Sequence, residues 1–459
     1  LAGMTGPAAL VSVGYMDPGN WATDLEGGAR FGYQLLWVLL ASNLVALLLQ
    51  SLSAKLGTVT GYDLASACRR QYAPAWTRTL WVLAELAIIG CDLAEILGGA
   101  LALNMLFGLP LQWGAALTAC DALLILTLQR FGARTLEAVV IALTFTIAVC
   151  LLAEVWMAKP AASMLVRGVV PHLDAAALPV AVGMLGATVM PHNLYLHSAL
   201  VPHARPGERS AQLRRGFWST MLALNLALLV NVAILVLAAA AFHAHGIPIV
   251  DLRDAHRLLD PLLGASIAST LLAVGLLCAS QSATVSGTLA GQVVMDGFLG
   301  LRMSPFARRV LTRGLAIGPA LAMLGALGDE GVTTMLVGSQ VLLSLQLPFA
   351  IVPLIKLTSS APLMGAHVNR TVTRWAAIGC ATLIVVANAA LIRDTLLSLR
   401  NSAPTLAWSL GIAAGILLGL LGFLCLTPLK PAVAPQRRLD PPDPLSFHHF
   451  GHHVRSGKN

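Results

Sequence analysis

The chain alternates long apolar runs with short polar segments, and most of the runs are long enough to cross a lipid bilayer. The hydrocarbon core of a bilayer requires roughly 20 consecutive apolar residues in a helix. The runs predict twelve membrane-spanning helices, at about 3–31, 33–54, 76–106, 109–129, 135–158, 176–202, 216–242, 263–297, 306–327, 332–355, 371–392 and 404–427. The pattern therefore predicts an all-α polytopic membrane protein.

Composition supports this prediction, and the distribution of positive charge predicts the orientation. Of the 459 residues, 57% are hydrophobic and 11% are charged, and the mean hydropathy is +0.78. Loops rich in Lys and Arg stay on the cytoplasmic side of a membrane. An inside N-terminus places 21 of the 29 Lys and Arg residues in cytoplasmic segments, so we expect both termini there. This bias accounts for the net charge of +8, which therefore indicates no nucleic-acid partner.

Two motifs that interrupt a regular helix lie inside the first and the sixth apolar runs. They are Asp17-Pro18-Gly19-Asn20 and Met190-Pro191-His192-Asn193. Proline breaks a helix, and within a membrane a break is tolerated only where protein or a water-filled cavity satisfies the freed backbone groups. Both motifs also carry side chains that can bind a cation. We therefore expect them to be two halves of one site.

Five helices separate the two breaks. An odd number of spans per unit inverts the second unit relative to the first, which is typical of an inverted five-helix repeat with a substrate site near the membrane midplane. Helices 1 and 6 should continue beyond their breaks at 21–30 and 194–202. The predicted units are 1–160 and 171–357, followed by two peripheral helices at 371–428 and a tail at 431–459 that we expect to be cytoplasmic and disordered.

The chemistry of the breaks predicts a metal site. A carboxylate in a membrane helix is costly unless it is paired, hydrated or liganded, so Asp17 requires a partner such as a cation. Asn20 offers an amide oxygen and Met190 a thioether, and Pro191 frees a carbonyl at about Ala187. A thioether prefers transition metals such as Mn²⁺, Fe²⁺, Co²⁺ or Cd²⁺, whereas Mg²⁺ and Ca²⁺ require oxygen. Two alternatives remain open, because Met190 could fill the core and Asn20 could cap the second half of helix 1.

Ionisable residues in other apolar helices indicate a path for protons. Asp92 and Glu95 lie three residues apart in helix 3 and share one helix face. Histidines beyond the second break can titrate near neutral pH, and arginines enter helix 9. The candidate relay comprises Asp92, Glu95, His192, His197, Arg308, Arg309 and Arg313. A structural ion-pair cluster and a hydrogen-bonded core histidine at position 197 are the alternatives, and Glu154 in helix 5 is given no role.

The residues at both breaks resemble the signature segments of the Nramp family of proton-coupled divalent metal transporters, whose bacterial members transport manganese. The similar segments are 16–21 and 186–198, with further likeness at 281–282, 287–292, 339–340 and 346–350. The resemblance covers roughly residues 1–395.

This resemblance implies a LeuT-like inverted repeat of 5+5 helices with unwound helices 1 and 6, alternating access, and a place in the bacterial plasma membrane. It implies that Asp17, Asn20, Met190 and the Ala187 carbonyl bind the metal, with Gln340 joining in some states. It also implies a proton network of the helix 3 acids, the histidine after the proline and the helix 9 arginines, with Asp17 as the first proton acceptor. A related branch that transports Mg²⁺ lacks the methionine, so this chain is similar to the transition-metal branch.

The predicted function is proton-coupled import of a divalent transition metal, Mn²⁺ foremost. The metal ion and the proton are substrates, and no cofactor or obligate protein partner is indicated. A LeuT-fold carrier of an organic solute such as an amino acid is one alternative, but its helix 1 break should present glycines and helix N-termini to a carboxylate rather than an anion. An intramembrane metalloenzyme is another, but the sequence lacks a His-Glu-x-x-His pair or three clustered strong ligands.

Overall fold

The computed structural model describes residues 2–129, 133–247, 249, 252–301, 304–328 and 331–430, and its regular elements are helices. They are α1 (Ala2–Val13), α2 (Pro18–Phe31), α3 (Leu36–Thr60), α4 (Leu64–Gln71), α5 (Pro74–Phe107), α6 (Leu111–Gln129), α7 (Ala133–Ala158), α8 (Ala162–Gly168), α9 (Leu178–Thr188), α10 (Pro191–Leu200), α11 (Arg209–Ala241), α12 (Leu252–Leu263), α13 (Ala268–Leu299), α14 (Pro305–Leu327), α15 (Val332–Thr358), α16 (Ala361–Met364), α17 (Thr371–Ser402) and α18 (Pro404–Leu426). Each of the twelve predicted spans contains one long helix or a broken pair. The short helices α4, α8, α12 and α16 lie in the connecting segments.

The apolar character of these helices agrees with a membrane protein. Over the described part of the chain, nine helical stretches are long and apolar enough to cross a membrane, and two shorter apolar helices lie at 6–16 and 310–325. The predicted tail at 431–459 lies outside the described residues.

Both predicted breaks are present, and each second half begins at its proline. After α1, a 3₁₀ turn at Gly14–Met16 leads to an extended Asp17, and α2 begins at Pro18. The α9 helix ends at Thr188, and α10 begins at Pro191. The second halves thus start three residues earlier than the predicted 21 and 194. Proline suits the first position of a helix, where its missing N–H leaves no bond unmade.

Helices that carry the breaks lie inside the bundle. The α2 helix packs against α9 and α11, and α10 packs against α3 and α13. The long helices α13 and α15 both pack against α5. By contrast, α18 packs mainly on α17 and buries only 6% of its most apolar stretch, so the last two helices are peripheral as predicted.

A tight contact between α5 and α2 positions the first break. A Cβ atom at Gly98 would overlap the ring of Pro18, which opens α2 directly after Asp17. We expect Gly98→Ala to displace the first turn of α2, because a rigid ring cannot yield as a flexible side chain can. Overpacking of this kind costs about 1–3 kcal/mol. The variant should therefore unfold at a lower temperature than the parent in a detergent melting assay and take up less substrate.

Gly216 in α11 provides a matched control for this substitution. A Cβ atom there meets nothing within 4 Å. Alanine is a better helix former than glycine by up to about 1 kcal/mol, so Gly216→Ala should keep or raise the melting temperature. Equal melting temperatures for the two variants would show that the α5–α2 contact does not constrain the break.

Candidate metal site at the two helix breaks

Asp17 closes the first break as the N-cap of α2. One carboxylate oxygen, Oδ1, accepts the backbone N–H of Asn20 at 2.8 Å and its side-chain Nδ2–H at 2.7 Å. The Asp17 side chain is fully buried. The cap alternative considered for Asn20 is therefore wrong, since Asp17 is the capping residue and Asn20 is its donor. An acidic cap at a helix N-terminus is favourable because the helix dipole is positive there.

The second break leaves the backbone carbonyl of Ala187 without its helical donor, and this carbonyl faces Asn20 of the first break. In a regular helix the carbonyl of Ala187 would accept the N–H of residue 191, but that residue is proline and has no N–H. The carbonyl instead accepts the side-chain Nδ2–H of Asn20 at 3.2 Å. Asn20 therefore joins the two breaks, as the paired motifs predicted.

Gln340 brings a third helix, α15, to the site. Its Nε2–H donates to Asp17 Oδ2 over 3.4 Å, and the side chain is fully buried. A Cβ atom at position 19 would overlap the Gln340 amide, so Gly19 permits this approach of α15 to α2. The resemblance implied a role for Gln340 in some states, and the contact places its side chain at Asp17.

Two amide oxygens at the site accept no hydrogen bond from the described residues. They are Asn20 Oδ1 and Gln340 Oε1, and both are buried. Buried polar oxygens are normally satisfied, so each of these has the capacity to bind a further group. Together with the Asp17 carboxylate and the Ala187 carbonyl, they form a set of hard oxygen donors around one negative charge. Such a set can bind a cation.

Met190 lies in the second break, between α9 and α10. Its side chain is fully buried and clusters with Cys91 and Leu343. The Asn193 Nδ2 atom lies 3.8 Å from the Met190 sulfur. No group of three or more His, Cys, Asp or Glu residues that could cage a metal occurs among the described residues. A cation bound at the breaks would therefore have mixed, neutral donors around a single carboxylate.

Three predicted members of the proton relay meet between α5 and α14. Arg313 Nη2 lies 2.9 Å from Glu95 Oε2, and its Nη1–H donates to the backbone carbonyl of Asp92 at 3.2 Å. The same guanidinium donates to Thr284 Oγ1 at 2.7 Å. The side chains of Asp92, Glu95 and Arg313 are all buried. The structure thus brings these three residues together inside the bundle, which agrees both with the predicted relay and with its alternative, a structural ion-pair cluster.

Cys91 connects this cluster to the second break. Its thiol lies 3.5 Å from Glu95 Oε1 and 3.9 Å from the Nε2 atom of His192. His192 directly follows Pro191 and lies two residues after Met190. Polar atoms therefore extend without a large gap from the second break to Glu95. No sequence pattern predicted a part for Cys91 in this path.

Two other predicted relay residues have polar partners on neighbouring helices. Arg308 pairs with Glu85, with Nη2 at 3.0 Å from Oε1. The His197 ring nitrogen Nδ1 lies 2.9 Å from Gln50 Oε1, and Gln50 Nε2–H donates to the Tyr15 hydroxyl at 2.9 Å. Arg309 is part of α14, but its side chain lies outside the described residues.

Two polar residues that support the breaks were not predicted from the sequence. Gln50 bridges His197 and Tyr15, and Asn231 in α11 donates from Nδ2 to the Tyr15 carbonyl at 3.0 Å. That carbonyl belongs to the 3₁₀ turn before Asp17, so Asn231 satisfies backbone that the break leaves open. A lone Gln or Asn within an apolar span was the available signal, because such groups require partners in lipid.

Comparison with known proteins decides the family. Residues 8–394 match the family model for natural resistance-associated macrophage protein-like proteins, abbreviated Nramp. The chain belongs to the Nramp family. It is 49% identical over 403 residues to the divalent metal cation transporter MntH of Listeria monocytogenes, covering 86% of this chain and 90% of that protein. It is 50% identical to a natural resistance-associated macrophage protein 2 homolog of Dictyostelium discoideum, covering 81% of this chain and 60% of that longer relative.

A solved structure confirms the predicted fold. The crystal structure of a mutant manganese transporter of Eremococcus coleocola matches with a TM-score of 0.84 at 34% identity, over 92% of this chain and 93% of that one. The LeuT-like arrangement with unwound helices 1 and 6 is thereby confirmed. Nramp proteins are transporters, so this chain is a membrane transporter of metal ions and not an enzyme.

Proposed function

We propose that this transporter imports a divalent transition metal ion, Mn²⁺ foremost and also Fe²⁺, Co²⁺ or Cd²⁺, together with protons, by alternating access. The observation that carries the proposal is that Asn20 joins the Asp17 carboxylate to the Ala187 carbonyl of the second break, while Gln340 from α15 contacts the same carboxylate. Two relatives also support the proposal, because one is named a divalent metal cation transporter and the other a manganese transporter.

The proposed metal ligands are Asp17, Asn20, Met190, Gln340 and the carbonyl of Ala187. The amide oxygens of Asn20 and Gln340, which accept no hydrogen bond from the described residues, would coordinate the metal ion. The ion would also displace the amide N–H groups that donate to the Asp17 carboxylate. The thioether favours a transition metal over Ca²⁺ and Mg²⁺, since these prefer oxygen alone. One charge and several neutral donors bind weakly enough for release, which a carrier requires.

We propose that protons pass from Asp17 towards the buried cluster around Arg313. Asp17 binds either a proton or a metal, because both seek its negative charge. Spatial contacts lead from the second break through His192, Cys91 and Glu95 to Arg313. Asp92 belongs to the same cluster. In this proposal His197, Arg308 and Arg309 line further parts of the route.

We further propose a location in the bacterial plasma membrane with both termini in the cytoplasm. The excess of Lys and Arg on one set of loops supports this orientation. In the proposed transport cycle the repeats at 1–160 and 171–357 move relative to each other, and the helices at 371–428 remain peripheral. Lipid is the only proposed partner besides the two substrates.

Uptake into proteoliposomes tests the proposed function. Purified full-length protein is reconstituted, and Mn²⁺, Fe²⁺, Ca²⁺ and Mg²⁺ are offered in parallel under an inward proton gradient while internal pH is recorded. We expect uptake of Mn²⁺ and Fe²⁺ with internal acidification, and much slower uptake of Ca²⁺ and Mg²⁺. Mn²⁺ uptake without acidification would contradict proton coupling. Uptake of amino acids that Mn²⁺ does not inhibit would favour the organic-solute alternative.

A further inference from the structure

Asp24 is a buried carboxylate that the proposed transport function does not use. It lies in the middle of α2, and its side chain is fully buried. Neither of its carboxylate oxygens accepts a hydrogen bond from the described residues. Buried acids are normally paired or hydrogen-bonded, so this one requires an explanation.

Helix geometry places Asp24 on the same face of α2 as Asp17. Seven residues at 3.6 per turn differ by about 20° in direction and by roughly 10 Å along the helix axis. Asn20 lies on the same side between them, and no proline or glycine interrupts α2 between positions 20 and 26. A regular helical segment therefore connects Asn20, which contacts the Asp17 carboxylate, to Asp24.

The elements packed against α2 bring few ionisable groups to Asp24. The α9 helix carries none, α11 carries its arginines at the opposite end from α2's last turn, and the histidine nearest the end of α2, His243, contacts the Ala29 carbonyl. The remaining ionisable groups on packed elements or on α2 itself are Tyr15, Asp17, Glu26, Arg30, Tyr33, Arg78, Glu85, Cys91, Asp92, Glu95, His245, Cys278, Asp296 and Lys356. A negative charge on Asp17 opposes a second negative charge on Asp24.

An ionised carboxylate in this position would be unfavourable for two reasons. Its charge would be removed from water without a compensating donor, and the negative charge of Asp17 would repel it. The carboxyl of Asp24 is therefore expected to hold its proton when no cation balances the charge of Asp17. A divalent cation at Asp17 reverses the sign of the local charge and so favours loss of that proton.

We propose that Asp24 is a second proton-binding residue of the metal site, and that metal binding at Asp17 releases its proton. This inference rests on the proposed function, since it requires that the breaks bind a metal. In the step, the O–H bond of Asp24 breaks, the proton passes to water or to a neighbouring acceptor, and the carboxylate retains the electron pair. By linkage, a proton on Asp24 weakens metal binding as much as the metal weakens proton binding.

The test counts the protons that the full-length protein releases when it binds Mn²⁺. Calorimetric titrations in detergent are carried out at several pH values, each in two buffers of different ionisation enthalpy. Asp24→Asn keeps the size and the neutral charge of the protonated acid but carries no proton to release. We expect this variant to bind Mn²⁺ and to release up to about one proton fewer per metal, with a shallower dependence of affinity on pH.

Glu154 provides the matched control. It is fully buried in α7, and its carboxylate oxygens likewise accept no hydrogen bond from the described residues, but α7 packs mainly against α13 and α11. Glu154→Gln should release the same number of protons as the parent. The inference would be overturned if Asp24→Asn released as many protons per Mn²⁺ as the parent. It would also be overturned if Asp24→Asn and Glu154→Gln lost the same number of released protons.

Two further measurements separate the possible causes of failure. If Asp24→Asn does not fold, Asp24→Glu must restore folding, and the carboxyl band in infrared difference spectra of Mn²⁺ binding must shift relative to the parent. An unshifted band would overturn the inference. If the parent protein itself binds no Mn²⁺, the proposed function fails first. Normal Mn²⁺ binding by the parent with unchanged proton release in Asp24→Asn contradicts the role of Asp24 alone.

Discussion

Replacing Asp17 with asparagine is expected to abolish Mn²⁺ uptake. The substitution removes the negative charge that the Asn20 and Gln340 amides contact, while asparagine remains a good N-cap and preserves the start of α2. Removing one partner of a buried charge pair costs roughly 3–5 kcal/mol, which corresponds to about a hundred- to several-thousand-fold in affinity. The measurement is initial Mn²⁺ uptake into proteoliposomes, together with Mn²⁺ binding to the purified protein.

Asp63 supplies the control for this experiment. It caps α4 in the same way, because its Oδ1 accepts the backbone N–H of Ser66 at 2.7 Å, but it lies outside the two breaks. Asp63→Asn should leave Mn²⁺ uptake close to that of the parent. Unchanged uptake by Asp17→Asn would contradict the proposed site, whereas equal losses in both variants would trace the effect to helix capping.

Replacing Met190 with leucine is expected to change which metals are transported. Leucine conserves most of the buried volume, and such swaps usually cost less than about 1.5 kcal/mol of stability. The change removes the thioether, so the remaining ligands are oxygens that suit Ca²⁺ and Mg²⁺. We expect Mn²⁺ uptake to fall several-fold and the ratio of Ca²⁺ to Mn²⁺ uptake to rise by about ten-fold, equivalent to the loss of roughly 1.4 kcal/mol of discrimination.

Met184 offers a control on the same broken helix. It is fully buried in α9, and it packs close to Gly27 of α2. Met184→Leu should preserve both Mn²⁺ uptake and the preference over Ca²⁺. A Met190→Leu protein with the selectivity of the parent would show that the thioether acts as core filling, which was the alternative that the sequence left open.

Local sequence patterns were sufficient to locate the breaks and to pair them. Proline cannot donate to the preceding turn, so the interruption at Pro18 and Pro191 follows from the residues themselves. The exposed carbonyl of Ala187 follows from the same rule, because its helical donor would be Pro191. An acid in an apolar run must find a partner, which brought Asp17 and Asn20 into one predicted site.

Pairings between distant helices could not be predicted in this way. Arg308 proved to pair with Glu85, and Cys91 proved to lie between His192 and Glu95. Such contacts depend on how each helix is rotated about its axis and how far it is shifted along its neighbour. Those quantities are set by packing across the whole bundle, and local periodicity does not specify them.

We infer that one metal ion binds oxygen donors and a thioether drawn from both breaks. X-ray absorption at the cadmium edge of the Cd²⁺-loaded protein tests it most directly, because sulfur and oxygen scatter differently and lie at different distances from cadmium. We predict a first coordination shell of mostly oxygen with one sulfur, and loss of that sulfur in Met190→Leu with the oxygen shell retained. A shell of oxygen and nitrogen alone in the parent protein would contradict the claim.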